Sequence, residues 1–383
     1  MNRISCKRLV RLTGLVVAVI AACGTTQAEM WIPTGAASHV HVAQMGMGGV
    51  TTTVATNAHT LFYNPAMLCR QSTAVEFSLP FGANTDVVDF VNFVNDNQDN
   101  FDNFENLTPA KQAKFLQDSQ KFDNQWLGLQ FSPYLGVIAH NLAFGAYGLV
   151  HSSVKVDQGV FSPEVGLRAY GDMVVALAYG FRPKIADAKT DMGVTLRYIN
   201  RRSISPMRLD ATDASKGDKL AKTIKDELSD SKSGFGLDVG AVRSLGMMNS
   251  RGEALVDVAA VVQDLVGSLD GWVKPNLKAG AVYHVPYGHS VWLKRWDVAA
   301  DVVDLFNRDG VSYMEKLNFG TEVAVLAEFL RLRGGFHQGY PTYGLGLNFR
   351  VFKIDAARYT EELSTRPGGN PDDLYLANIT IGW

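Results

Sequence analysis

The sequence predicts an all-β transmembrane fold, a single antiparallel sheet of about 14 strands closed into a barrel. Three observations predict it. The chain opens with an export signal. From about residue 172 onward it repeats short segments in which apolar and polar residues alternate. It stops on an aromatic residue, Trp383, at the end of one more such segment.

The export signal has three parts. Arg3, Lys7, Arg8 and Arg11 form a positive start, Thr13 to Ala22 is a short apolar core, and Thr26-Gln27-Ala28 puts small residues where a signal peptidase reads them. Cleavage is expected after Ala28, so that 1–28 is removed. The apolar run is about half the ~20 residues that a membrane helix needs. Ile20-Ala21-Ala22 before Cys23 also resembles a lipoprotein signal, but a chain that ends as a barrel needs no lipid anchor. Cys6 and Cys23 fall within the signal, which leaves Cys69 without a disulfide partner and no Cys-x-x-Cys pair for metal or redox work.

Composition bounds the rest. The chain has 383 residues, 46% hydrophobic and 19% charged, with a formal net charge of −2. It is too apolar for a disordered chain, and it has no basic field to hold nucleic acid.

The alternation has the period of a strand, whose successive side chains point to opposite faces. Met173, Val175, Leu177 and Tyr179 share one face against Ala176, Ala178 and Gly180. Trp296, Val298 and Ala300 oppose Asp297 and Asp301, and Tyr343, Leu345 and Leu347 oppose Gly344, Gly346 and Asn348. A soluble sandwich alternates too, but its apolar face must meet a second sheet. So many successive strands with charge or Gly behind the apolar face fit one closed sheet, which also removes unpaired edges from lipid. The last segment puts Tyr375, Ile379, Ile381 and Trp383 outward. It resembles the terminal signal strand of bacterial outer-membrane barrels, which the barrel assembly machinery reads by adding it to a sheet edge.

The barrel is expected over 73–383, with strand candidates at 73–80, 126–138, 142–151, 160–169, 172–182, 190–202, 234–244, 253–263, 277–285, 291–304, 315–325, 328–337, 342–350, 352–360 and 374–383. That list is odd in number where such barrels are even, and its weakest stretch is 134–170. Two insertions with helical character break the pattern, near 86–124 and near 204–232. In the first, Thr108-Pro109 signals a helix start; in the second, a helix is expected over Lys216 to Leu228. Residues 29–72 do not read as regular strands.

That N-terminal stretch carries the most specific motif. Gln44-Met45-Gly46-Met47-Gly48-Gly49-Val50 leads into a Thr run and then Leu61-Phe62-Tyr63-Asn64-Pro65-Ala66-Met67-Leu68. The pattern resembles the start of FadL-like and PorV-like outer-membrane proteins. The resemblance implies an N-terminal hatch over 29–72 that plugs the barrel, with Gly46, Gly48, Gly49, Asn64, Pro65 and Ala66 as its motif. Further likeness runs through Phe235 to Ala241, Val261 to Leu265 (Asp264 stands where the group has Asn), Leu317 to Glu322 and Tyr343 to Leu347.

What the resemblance implies about function is passive uptake of hydrophobic compounds such as long-chain fatty acids. Ligand would be caught at external loops, enter the barrel and leave by a lateral gap once the hatch shifts. The group also implies an alternative, a PorV-like shuttle for secretion or surface attachment that presents its loops to a secreted protein. A third reading is a structural barrel with a permanent plug. The expected partners are an apolar small molecule, outer-membrane lipid and the assembly machinery. No cofactor and no catalysis are expected, since the sequence has no Gly-x-Ser-x-Gly elbow.

Candidate residues follow. Val87, Phe90, Val91, Val94, Phe101 and Phe104 fit an apolar capture surface in the first insertion, or equally the packing of two loop helices on each other. Arg331 and Arg333 face inward by alternation, to meet either a ligand carboxylate or a lumen acid such as Glu322 or Asp301. His39 and His41 share one face of an extended segment, but no third metal ligand stands near them.

Overall fold

The computed structural model describes residues 40–97, 107–122, 126–157, 164–183, 190–210, 231–245, 254–267, 275–286, 292–306, 310–349, 351–362, 367–369 and 371–382. The signal segment, Trp383 and the expected helix at Lys216 to Leu228 lie outside them.

Fourteen strands form one closed antiparallel barrel. They are β1 (Ala74–Asn84), β2 (Trp126–Phe131 continuing as Tyr134–Ala139), β3 (Leu142–Asp157), β4 (Glu164–Phe181), β5 (Thr190–Asp210), β6 (Lys232–Ser244) and β7 (Val256–Gly267). Then come β8 (Asn276–His284), β9 (Leu293–Val302), β10 (Leu317–Val325), β11 (Leu330–His337), β12 (Tyr340–Asn348), β13 (Phe352–Glu362) and β14 (Pro371–Gly382). Each strand pairs with the next. β1 closes the ring on β14, from Glu76 opposite Gly382 to Asn84 opposite Leu374. Four α-helices are described, besides 3-10 turns: α1 (Val42–Gly46), α2 (Thr60–Tyr63), α3 (Thr85–Asp96) and α4 (Pro109–Ser119).

β2 is one strand despite the Ser132-Pro133 step. Phe131 faces Phe81 and Tyr134 faces Ser78, so the register is the same on both sides of the step. Ser132 N still donates to Pro80 O at 3.0 Å.

The odd number of candidates resolves in the stretch where the pattern was weakest. The segments 160–169 and 172–182 are one strand, β4. Gly171-Asp172 reads as a break in the sequence, but Asp172 lies in mid-strand because Arg201 on β5 takes both its carboxylate oxygens at 2.7 Å. β5 in turn runs past the expected end at 202 to Asp210. Pro206 sits at a bulge, where Ile204 pairs with Ala169 and Met207 with Leu167, so a residue without an N–H is tolerated inside the strand. The second insertion is therefore confined to 211–231.

The outward face is the expected one. Met173, Leu177, Tyr179, Phe235, Trp296, Leu332, Tyr343, Leu345, Tyr375, Ile379 and Ile381 all point out and are exposed, a surface suited to lipid. No described helix is long and apolar enough to cross a membrane.

Strand directions define two rims. The terminal rim holds the start of β1 and the end of β14. The loop rim holds the ends of β1 and β5, so both insertions leave from the same side. The wall is uneven in height: β3, β4 and β5 have 16, 18 and 21 residues, while β10, β11 and β12 have 9, 8 and 9.

Candidate functional site

The lumen is filled by the N-terminal segment, and its shape follows from the local sequence. Thr-rich and Gly-rich stretches cannot form a long helix, so the chain folds as short turns in two lobes. The first lobe, 42–54, begins with α1. The second, 57–70, runs from a 3-10 turn through α2 to a 3-10 helix at Pro65–Arg70. Asn64 starts that last helix: its Oδ1 accepts from Ala66 N at 3.1 Å and its Nδ2 donates to Thr52 O at 2.9 Å, tying the lobes together. Pro65 at the first helical position suits the start, because its missing N–H is not needed there.

The first lobe lies against β9–β13 and is held by polar wall side chains that read its backbone. Asp301 Oδ2 accepts from Thr51 N at 2.7 Å and Thr52 N at 2.8 Å. Gly48 N donates to Thr342 Oγ1 at 2.9 Å. Close approach is demanded here: Gly48 has φ +71°, and a Cβ on it would stand 2.0 Å from Phe319 O. His41, at the start of this lobe, donates its backbone N–H to Tyr63 Oη at 3.2 Å, its ring meets the Gln44 side chain, and burial pushes its imidazole down to about 4. His39 lies outside the described residues, and among those described no group of His, Cys, Asp and Glu is placed to hold a metal ion.

The second lobe lies against β2–β7. Leu61, Phe62 and Leu68 are buried in one apolar cluster with Ile138, Tyr147, Leu149, Val174 and Ile199 of the wall. Two wall side chains also bond its backbone: Thr195 Oγ1 to Leu61 O at 2.9 Å and Gln263 Nε2 to Phe62 O at 2.8 Å. Arg70 ends the lobe at the terminal rim, 2.7 Å from both Asp191 and Asp257.

The interior is thus divided lengthwise. β4–β13 carry buried ion pairs: Arg201 with Asp172 at 2.7 Å, Arg197 with Asp238 and Asp264 at 2.7 and 2.6 Å, Lys316 with Asp304 at 3.0 Å, and Arg333 with Glu322 and Asp355 at 2.6 and 2.7 Å. β2 and β3 instead face the lumen with Tyr134, Ile138, Ala143, Tyr147 and Leu149. The signal for this side is in the sequence and the alternation hides it: no Asp, Glu, Lys or Arg occurs from Trp126 to Val154. Periodicity finds which residues face in; only the absence of charge over that whole run shows which part of the lumen is apolar.

The structure separates the other candidate residues. Both Arg333 donors named above are held by wall carboxylates, and Arg331 stands 3.3 Å from Glu328 and 3.8 Å from Glu322. Both arginines, with Arg295, Lys353, His41 and Glu76, line a small cavity of about 50 Å³ beside the first lobe. At the loop rim, α3 and α4 pack on each other. Phe93, which the sequence reading passed over, meets Phe115 and Phe122 at 5.6 and 5.2 Å, and Phe90 meets Phe122 at 5.3 Å. Val87 is half-buried and Val91 is exposed; the side chain of Val94 and all of Phe101 and Phe104 lie outside what is described. Asn84 caps α3 through Val87 N at 3.2 Å and reaches Asp372 at 3.2 Å, which fixes the helix to the β1–β14 seam.

No protein-family profile matches the sequence, and a search of curated proteins finds no match. Among solved structures, the toluene transporter TodX of Pseudomonas putida matches at 12% identity and TM-score 0.48, over 88% of this chain and 96% of its own. The toluene transporter TbuX of Ralstonia pickettii matches at 13% and 0.48, over 90% and 98%. The monoaromatic hydrocarbon channel CymD matches at 12% and 0.47, over 91% and 98%. The chain is similar to these proteins over most of its length.

Proposed function

We propose that the protein is a bacterial outer-membrane channel for the passive uptake of hydrophobic compounds, with the N-terminal segment as its hatch. The outer-membrane setting is supported by the closed sheet and its apolar exterior, since a closed barrel leaves no backbone edge unpaired in lipid. The loop rim then faces the cell exterior and the terminal rim the periplasm.

The observation that carries the reading is the charge-free stretch of wall that β2 and β3 present from Trp126 to Val154. Its apolar side chains, with those of β4 beside it, run from Leu149 and Tyr170 at mid-strand to Ile138 and Ala178 near the terminal rim. An apolar molecule gains from such a surface and would lose by desolvating the ion pairs opposite. The second lobe packs on this wall, so passage along it requires the lobe to move. Long-chain fatty acids are the finer expectation, with the chain on this wall. The reading gives the protein no reaction and no cofactor.

Native mass spectrometry of the detergent-purified protein tests it, with organic extraction of what co-purifies and titration with oleate and with toluene. A stoichiometric apolar ligand displaced by either probe supports the channel. Absence of any apolar ligand, with no binding of either probe, overturns it and directs attention to protein partners of α3 and α4.

A further inference from the structure

We infer that the wall under the second lobe is the ligand-binding site itself, and that Leu61 and Phe62 occupy it as built-in stand-ins for ligand. The inference rests on the channel reading, and it adds where ligand binds and what it must displace.

Phe62 has the contacts of a bound guest. Its ring stands edge-on to Tyr147 at 4.7 Å and to Tyr134 at 5.8 Å. Edge-on contact at such separations is a favoured geometry for aromatic pairs. Leu61 is fully buried beside it, and Ile138, Val174 and Ile199 complete the surface. At Leu61 and Phe62 the polar anchors come from backbone, whose carbonyls accept from Thr195 and Gln263; the side-chain anchors of the lobe, Asn57 with Glu76 and Arg70 with Asp191 and Asp257, lie at its two ends. The two side chains themselves lie within an apolar cluster.

Apolar contact is non-directional and scales with area removed from water. A ligand of similar bulk therefore replaces these side chains without having to reproduce a particular hydrogen bond. The molecules selected are uncharged ones, or the uncharged part of an amphiphile, because Leu61 and Phe62 lie among apolar side chains and the buried charges of β4 and β5, Asp172 and Arg201, already bond each other. Binding and opening become one event. Ligand cannot take the surface while Leu61 and Phe62 remain on it, so each binding lifts the second lobe.

Cys69 reports that lift. It lies in the same lobe, buried against β4, where a Cβ on Gly180 would be 2.9 Å from its Sγ. The experiment follows alkylation of the peptide carrying Cys69 while toluene or oleate is titrated, with binding read in parallel by native mass spectrometry. In the unaltered protein the rate is expected to rise with probe by at least about tenfold, the change that a ligand preferring the open form by ~1.4 kcal/mol produces. Glycerol is expected to leave it unchanged. Phe62→Ala and Leu61→Ala each vacate part of the site, so both variants should bind the probe with a smaller rise in alkylation. If the unaltered protein binds probe while Cys69 stays protected, the exchange is overturned and the channel reading stands. If it binds no apolar probe at all, the channel reading falls with it.

Discussion

The first lobe of the N-terminal segment sits against the short side of the barrel and the second against the tall side; both pack on the wall, the first through Val42, Met47, Val50 and Val54, but polar wall side chains engage the first more than the second. Asp301, Thr342 and Asn318 engage the backbone of the first lobe, with Asn318 Nδ2 3.4 Å from Gly49 O. These bonds are directional, and an apolar molecule cannot substitute for them. Leu61, Phe62 and Leu68 fix the second lobe by packing, which a hydrocarbon can replace. On the channel reading, one segment would contain an anchor and a displaceable part, joined at Ala55-Thr56, so that a plug could remain attached while a path opens beside it.

The comparison can be broken most severely on its charged side. Arg333→Met leaves Glu322 and Asp355 buried without their cation, at a cost of about 3–5 kcal/mol in stability. Denaturant unfolding in detergent measures it. A loss confined to oleate affinity, with stability intact, would instead make Arg333 a ligand contact. Leu68→Ala is expected to cost about 2–5 kcal/mol, felt in the second lobe as faster Cys69 alkylation. The amides of Thr51 and Thr52 should keep their hydrogen-exchange protection in that variant.

Asp301→Asn is the converse and smaller change, about 1–3 kcal/mol. Here the Thr51 and Thr52 amides should exchange faster while Cys69 stays protected. Equal responses of both lobes to either substitution would mean that the segment moves as one body.

Acid should act on the first lobe through His41. Seated, the ring takes a proton only near pH 4, because burial disfavours its charge; released, it would protonate near its ordinary value of 6.5. Its surroundings are mixed, with Asp355 favouring the charged ring and Arg333 and Lys353 opposing it. Seating is therefore complete above pH 6.5, weakens as the pH falls towards 4, and levels off below that. Proteolysis of the segment across this range, with His41→Asn flattening the profile, checks the sign. The smallest effect belongs to Val91→Ser on the exposed face of α3, which should leave stability within about 0.5 kcal/mol. A fall in uptake with stability unchanged would make α3 a capture surface.

Much of the barrel was legible in the sequence because strand alternation is strict: a side chain either faces lipid or does not. Where the pattern failed, the cause was a partner that one segment cannot reveal. Asp172 reads as a turn until Arg201 stands beside it, and Pro206 reads as a strand end until a bulge absorbs it. The hatch motif was legible as residues and not as contacts. Asn64 proves to tie two lobes, which no local turn rule states. The division of the lumen was written in the charge-free run from Trp126 to Val154, a feature of composition rather than period.

The uneven wall has a consequence of its own. At roughly 3.3 Å per residue, the 21-residue β5 and the 8-residue β11 differ by about 40 Å in length along the strand. The mouth is cut obliquely, like a scoop, with a lip on one flank and a backstop on the other. The protein thereby acquires a heading in the plane of the membrane. On the channel reading, a molecule moving along the outer leaflet would meet the tall wall on one side and the low wall on the other, so direction of approach would join chemistry in choosing what reaches the lumen.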